Sequence, residues 1–145
     1  MLNMPSRTIF LARLIGLSAV FMSLAMVVNK TSFIGTTAAL VHEPPALMIY
    51  GMIALFAGLA MVIGHNVWSG GALAVVVTLI GWLILIRGVV LLSLSSAAIM
   101  SLFDTMRFAE FFYVYVAVLF AIGVYLTYAS FRSSPSLSTG VKGHP

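Results

Sequence analysis

A histidine, an asparagine and a tryptophan stand at 65, 66 and 68, in the stretch GHNVWSGG between two long apolar runs. The imidazole of His65 can ligate a metal or carry a proton, the amide of Asn66 can donate and accept, and the indole of Trp68 can donate. Two uses are open for this group. In the first, His65 and Asn66 meet Arg13, about one and a half turns inside the first apolar run, and close a small polar pocket for a ligand or a proton. In the second the stretch is a turn. His65 then meets the negative end of a helix dipole, Asn66 takes a left-handed conformation, Trp68 sits at a membrane interface and Gly70-Gly71 reverse the chain.

A second group is charged. SLFD at 101–104 fits a capping pattern with Ser101 as the cap, after which Asp104, Arg107 and Glu110 recur at intervals of three on one helix face. Arg87 lies near the end of the preceding apolar run. These four residues either form an interfacial ion-pair network that fixes one helix against the next, or, through Arg87 and Glu110, line a vestibule for an ion or small solute.

Other chemistry is sparse. With three carboxylates and no cysteine in the chain, no nucleophile, base and orienting group come together, and there is no phosphate-binding or dinucleotide glycine pattern. The chain is therefore expected not to be an enzyme. Of its three histidines, His144 falls in the tail, and His42 and His65 belong to consecutive loops on opposite sides of an apolar core about 30 Å thick. No metal or cofactor is expected within one chain, while a site assembled across subunits stays open.

The elements that would position these residues follow from composition. Of 145 residues 62% are apolar and only 7% charged, against roughly 25% charged in a soluble domain. So few charges cannot cover a globule in water, so the solvent expected around this chain is lipid. The net charge of +4 comes from Lys and Arg scattered singly, which gives no face for nucleic acid. Apolar runs at 8–29, 45–64, 71–92 and 108–129 each suit one crossing of a bilayer, because an apolar helix satisfies its own backbone in lipid. The fold expected is all-α: a four-helix transmembrane bundle, one membrane domain over 1–132, both termini on one side, and a disordered tail at 133–145 rich in Ser, Gly and Pro.

The first run is expected to be a retained helix. Arg13 interrupts it and it continues through Met26, Val27 and Val28, unlike the apolar core of a cleaved signal. Between the first two helices, KTSFIGTTAALVHEPP places Phe33, Ile34, Ala38 and Val41 on one face, as a short interfacial segment would, and Pro44-Pro45 suit the first turn of the second span. Gly51 and Gly58, and Gly81 and Gly88, share a seven-residue spacing that puts each pair on one helix face. Such faces pack helices closely, within the chain or against a partner. In the fourth run Phe112, Tyr115 and Leu119 share a face, Ala117 and Ala121 offer a small-xxx-small contact, and Tyr125 and Tyr128 suit an interface.

The sequence GHNVWSGG followed by VTLIGWLILIRG at 77–88 resembles a widespread group of small bacterial four-span membrane proteins of uncharacterised activity, which carry a His-Asn-x-Trp turn before a similar Gly-Trp helix. The resemblance covers mainly the second and third spans. It implies the four-span fold and a bacterial cytoplasmic membrane, and no activity. Small multidrug transporters also have four spans but rely on an acidic residue deep in the first helix, where this chain has only Arg13. The expected function is that of an accessory or assembly subunit packing against another membrane protein or a copy of itself; the alternative is a small-solute or ion transporter built as a homo-oligomer.

Orientation is expected from the basic residues. Arg7, Arg13, Arg132 and Lys142 flank the termini, against Lys30, Arg87 and Arg107 near the first and third loops, which sets both termini and the 65–71 turn in the cytoplasm. With no native cysteine to interfere, Ser69→Cys is expected to react with a membrane-impermeant thiol reagent only in inside-out vesicles; labelling of intact cells would reverse this orientation.

Overall fold

The computed structural model describes residues 6–69 and 71–133. Six helices follow one another: α1 Ser6–Val28, α2 Lys30–Val41, α3 Pro44–Gly64, α4 Ala72–Ser93, α5 Ser96–Met106 and α6 Phe112–Arg132. No strand occurs among the described residues. Four segments, Arg7–Val28, Pro44–Gly64, Ala72–Ser93 and Phe112–Arg132, are long and apolar enough to cross a membrane, each rising about 30 Å. The protein is thus an all-α bundle of the membrane-spanning kind. The tail expected to be disordered at 133–145 lies outside the described residues beyond Ser133.

Small residues decide which helices pair. Along α3 and α4, running antiparallel, a Cβ on Gly58 would stand 2.3 Å from the backbone nitrogen of Leu85, and one on Gly88 would stand 2.4 Å from that of Leu55. Gly51 receives the side chain of Leu92, and Gly81 receives Met61. The contact is reciprocal: glycines of α3 admit leucines of α4, and glycines of α4 admit Leu55 and Met61 of α3. All four glycines singled out by their spacing therefore lie in one internal seam.

Glycines with no partner in their own helix build the second pair. On α1, a Cβ at Gly16 would come 2.8 Å from the nitrogen of Thr127, and on α6 one at Gly123 would come 2.9 Å from the nitrogen of Val20. The first and last spans are thereby locked together, since a Cβ on either Gly16 or Gly123 would also stand 3.0 Å from the other's carbonyl oxygen. Ala117 and Ala121 are exposed and take no part in this seam.

The two pairs meet at the end that carries the termini. There Ala12 of α1, Leu73 and Val77 of α4 and Leu126 of α6 form a buried cluster, flanked by Leu11, Ile15 and Met61. At the opposite end α2 joins the pairs. Its Phe33 and Ile34 pack on Met26, Phe112 and Val116 of the α1–α6 pair, while its Val41 packs with Leu47 and Ile99 beside Leu91. The segment between the first two spans is a helix in which Phe33, Ile34 and Val41 of the expected face pack while Ala38 is exposed, and Pro44 and Pro45 open α3 as its first helical residues.

The third loop departs from expectation. It contains α5, capped by Ser95, whose Oγ accepts the Ala98 N–H at 3.3 Å, and Ser101 lies inside that helix rather than at its start. Arg107 ends α5 in the left-handed region, with φ 44°, so Asp104, Arg107 and Glu110 do not share one helix face. The fourth span accordingly begins at Phe112, four residues later than the apolar run.

Because the closest atoms at Gly58 and Gly88 are backbone, neither neighbour can yield. Gly58→Ala and Gly88→Ala are each expected to destabilise the detergent-solubilised protein by about 1–3 kcal/mol. Gly35→Ala, whose added Cβ meets nothing within 4 Å, is expected to be neutral or slightly stabilising. Thermal unfolding followed by circular dichroism compares the three.

Candidate functional site

The 65–71 turn is built from the end of α3 upward. His65 closes α3, its N–H donating to Met61 O at 2.7 Å, and the residue is buried at 4% exposure. Its Nε2 has no hydrogen-bond partner among the described residues. Asn66 Oδ1 accepts the indole N–H of Trp68 at 2.6 Å, a short contact that folds an exposed Trp68 back over the turn. Gly71, with φ 120°, supplies the backbone conformation that starts α4.

The turn is fastened by a residue that the motif does not contain. Thr78, buried one and a half turns inside α4, accepts the Val67 N–H at 3.2 Å. Its own proton is within reach of Val67 O and Ala74 O, both at 3.0 Å, and lies farther from His65 O at 3.5 Å. A lone hydroxyl in the run VVVTLIGW was the available signal, since a polar group inside an apolar helix needs a partner.

Arg13 is half-buried on the neighbouring pair. Its guanidinium lies 4.5 Å over the Phe131 ring, and Nη2 approaches Ser130 O at 3.5 Å. The contacts of Arg13 described here therefore run to α6, those of Asn66 to Trp68, and the buried ring of His65 lies at the foot of α3. All three occupy the same end of the molecule.

At the other end, α2, α5 and the 107–111 turn enclose a cleft of about 450 Å³. Ile34, Val41, Met100 and Phe103 line its apolar part, and His42, Asp104, Arg107 and Glu110 its polar part. Arg107 Nη1 and Glu110 Oε2 form an ion pair at 3.1 Å, with both side chains about three-fifths exposed, so water screens it and its contribution is small. Lys30 stands over the Tyr113 ring at 4.3 Å, and Tyr115 donates to Met106 O at 3.0 Å, which ties the end of α5 to α6. Of the charged group expected from spacing, Asp104, Arg107 and Glu110 share this cleft; Arg87 sits on α4 outside its lining.

Chemically, the cleft can offer carboxylate oxygens, one guanidinium and an imidazole to a small polar solute above an apolar floor. Among the described residues no three of His, Cys, Asp or Glu come together as a metal site. His42 and His65 are separated by the whole length of α3, about 30 Å.

Thr78→Val keeps the shape of the side chain and strands the Val67 N–H. It is expected to cost about 1–3 kcal/mol in thermal unfolding. Asn66→Ala should have a smaller effect, because the Trp68 N–H it frees is exposed to water or headgroups.

No family model matches the chain, and no curated protein and no solved structure matches it.

Proposed function

We propose that this protein is an accessory or assembly subunit of a bacterial cytoplasmic membrane, with both termini in the cytoplasm, belonging to the small four-span group that its His-Asn-x-Trp turn and Gly-Trp helix resemble. It acts by packing a helix face against another membrane protein. The observation that carries this reading is the outer face of α6. Val114, Ala117, Ala121, Val124 and Tyr128 recur at alternating steps of three and four, and all are exposed. That is the spacing of the seams inside the bundle, with small residues at its centre, and no other described residue covers it. The four glycines of α3 and α4 cannot serve this purpose, since each already receives a residue of the other helix.

A second reading rests on the α2–α5 cleft. Its Asp104, Arg107 and Glu110 would form the entrance of a path for a small solute or ion, completed by further copies of the chain.

Gentle extraction of the tagged protein from its native membrane, followed by native mass spectrometry, separates the two. The expected result is a foreign subunit at fixed stoichiometry, lost when Ala117→Leu and Ala121→Leu are combined while the protein stays folded. A clean homo-oligomer indifferent to those substitutions would sink this reading and favour the second, for which Glu110→Gln should abolish flux and Arg87→Gln should not.

A further inference from the structure

The two-pair architecture leaves a groove at the termini end. α1 is committed to α6 and α3 to α4, and the pairs touch there through Ala12, Leu73 and Val77, with Met61 alongside. α1 and α3 therefore face each other across unfilled space. The groove measures about 570 Å³ and is lined by Phe10 and Leu11 on one side, Ala60, Met61 and Gly64 on the other, and Arg7 at its mouth. That volume falls within the range of roughly 300–1,000 Å³ seen for ligand pockets. Its openness has a local cause: Ala60 projects one methyl, and a Cβ at Gly64 would meet nothing within 4 Å.

Charge selects the occupant. All three carboxylates of the chain, Glu43, Asp104 and Glu110, belong to the opposite end, where α2, α5 and their turns lie. The groove end carries Arg7, Arg13 and Arg132 and no carboxylate among the described residues. An anion arriving there meets no repulsion. Arg7 lies in the first turn of α1, which holds no acidic residue, so the guanidinium and the positive end of that helix add to one another. The rest of the lining is apolar, Phe10 and Leu11 of α1 against about one turn of α3 from Ala60 to Gly64, which a free phosphate would not use and part of an acyl chain would.

We infer that this groove is a binding site for one anionic phospholipid, with its phosphate at Arg7 and one acyl chain laid between Phe10 and Leu11 of α1 and Ala60 and Met61 of α3. Guanidinium engages a phosphate through two parallel N–H donors, and a long side chain at the end of a span reaches headgroup depth while its stem stays in the apolar layer. The bound lipid fills the space that the helix pairs leave open.

The test uses the full chain exchanged into mixed vesicles of phosphatidylglycerol and phosphatidylcholine with identical acyl chains, then released in mild detergent and read by native mass spectrometry. One phosphatidylglycerol is expected to be retained in preference to phosphatidylcholine. Arg7→Gln should weaken that preference roughly fivefold, the worth of one basic residue at an anionic surface. Arg132→Gln removes the same charge from the same membrane face but outside the groove, and should leave it unchanged. Ala60→Leu, which fills the groove, should reduce retention of both lipids; Phe10→Ala, which removes an exposed wall, checks the result in a second variant. Equal retention of the two lipids by the native protein overturns the site. So do equal losses in Arg7→Gln and Arg132→Gln, or full retention in both groove variants.

Discussion

Everything in this molecule depends on how closely two backbones can approach in lipid. Apolar side chains gain nothing by leaving lipid for one another, so a membrane helix holds its neighbour by direct contact and by the few polar groups that find partners. At Gly58 and Gly88 the absence of a side chain brings the backbone of one helix against the backbone of the next, and the reciprocal placement of leucines fills both sides of the seam. Gly16 and Gly123 repeat the device between the first and last spans. The two seams differ in what they ask of the chain. α3 and α4 are neighbours joined by a short turn, whereas α1 and α6 enclose everything else between them, so the second seam closes the whole fold at a larger loop-closure cost.

Once those pairs are set, the remaining features are consequences. Two antiparallel pairs that meet through Ala12, Leu73, Val77 and Leu126 need a second tie at the far end, and α2 supplies it by packing one end on each pair. Thr78 holds the short turn of the α3–α4 pair by binding the backbone of Val67. The charges are sorted in the same way. Every side-chain carboxylate lies at the α2–α5 end, where it balances Lys30, Arg87 and Arg107, and the charged side chains described at the termini end are all basic.

The spans were legible in the sequence because hydropathy over twenty residues is a property of the segment alone. So was the seam of Gly51, Gly58, Gly81 and Gly88, since equal spacing within each helix marks a face whatever that face touches. Gly16 and Gly123 carried no such mark: each is one glycine in its span, and its meaning appears only opposite the other helix. The start of the fourth span was misplaced because Phe108 and Phe111 extend the apolar run through a turn, and what breaks the helix is the left-handed conformation of Arg107, which no apolar count registers. α5 was hidden by a duplicated signal. Ser95 and Ser101 are equally good caps by type, but only Ser95 has the Ala98 N–H in front of it. In the 65–71 turn the distinctive residues mask the part of Thr78, which lies about two turns beyond the motif and holds it in place.

α6 gathers these themes because it has two packing faces of unlike composition. Its inner face, through Phe112, Val116, Gly123 and Leu126, is buried against α1 and its neighbours. Its outer face has the same stepwise spacing but is centred on Ala117 and Ala121, whose methyl groups keep a partner backbone farther away than glycine does. A glycine seam holds two helices at backbone contact and contributes to the fold itself. An alanine seam permits a shallower contact with fewer close atoms, suited to association between subunits that have already folded. The division of labour between glycine inside and alanine outside is the physical content of the assembly-subunit proposal, and it places the surface to be tested on a span whose inner face is already engaged.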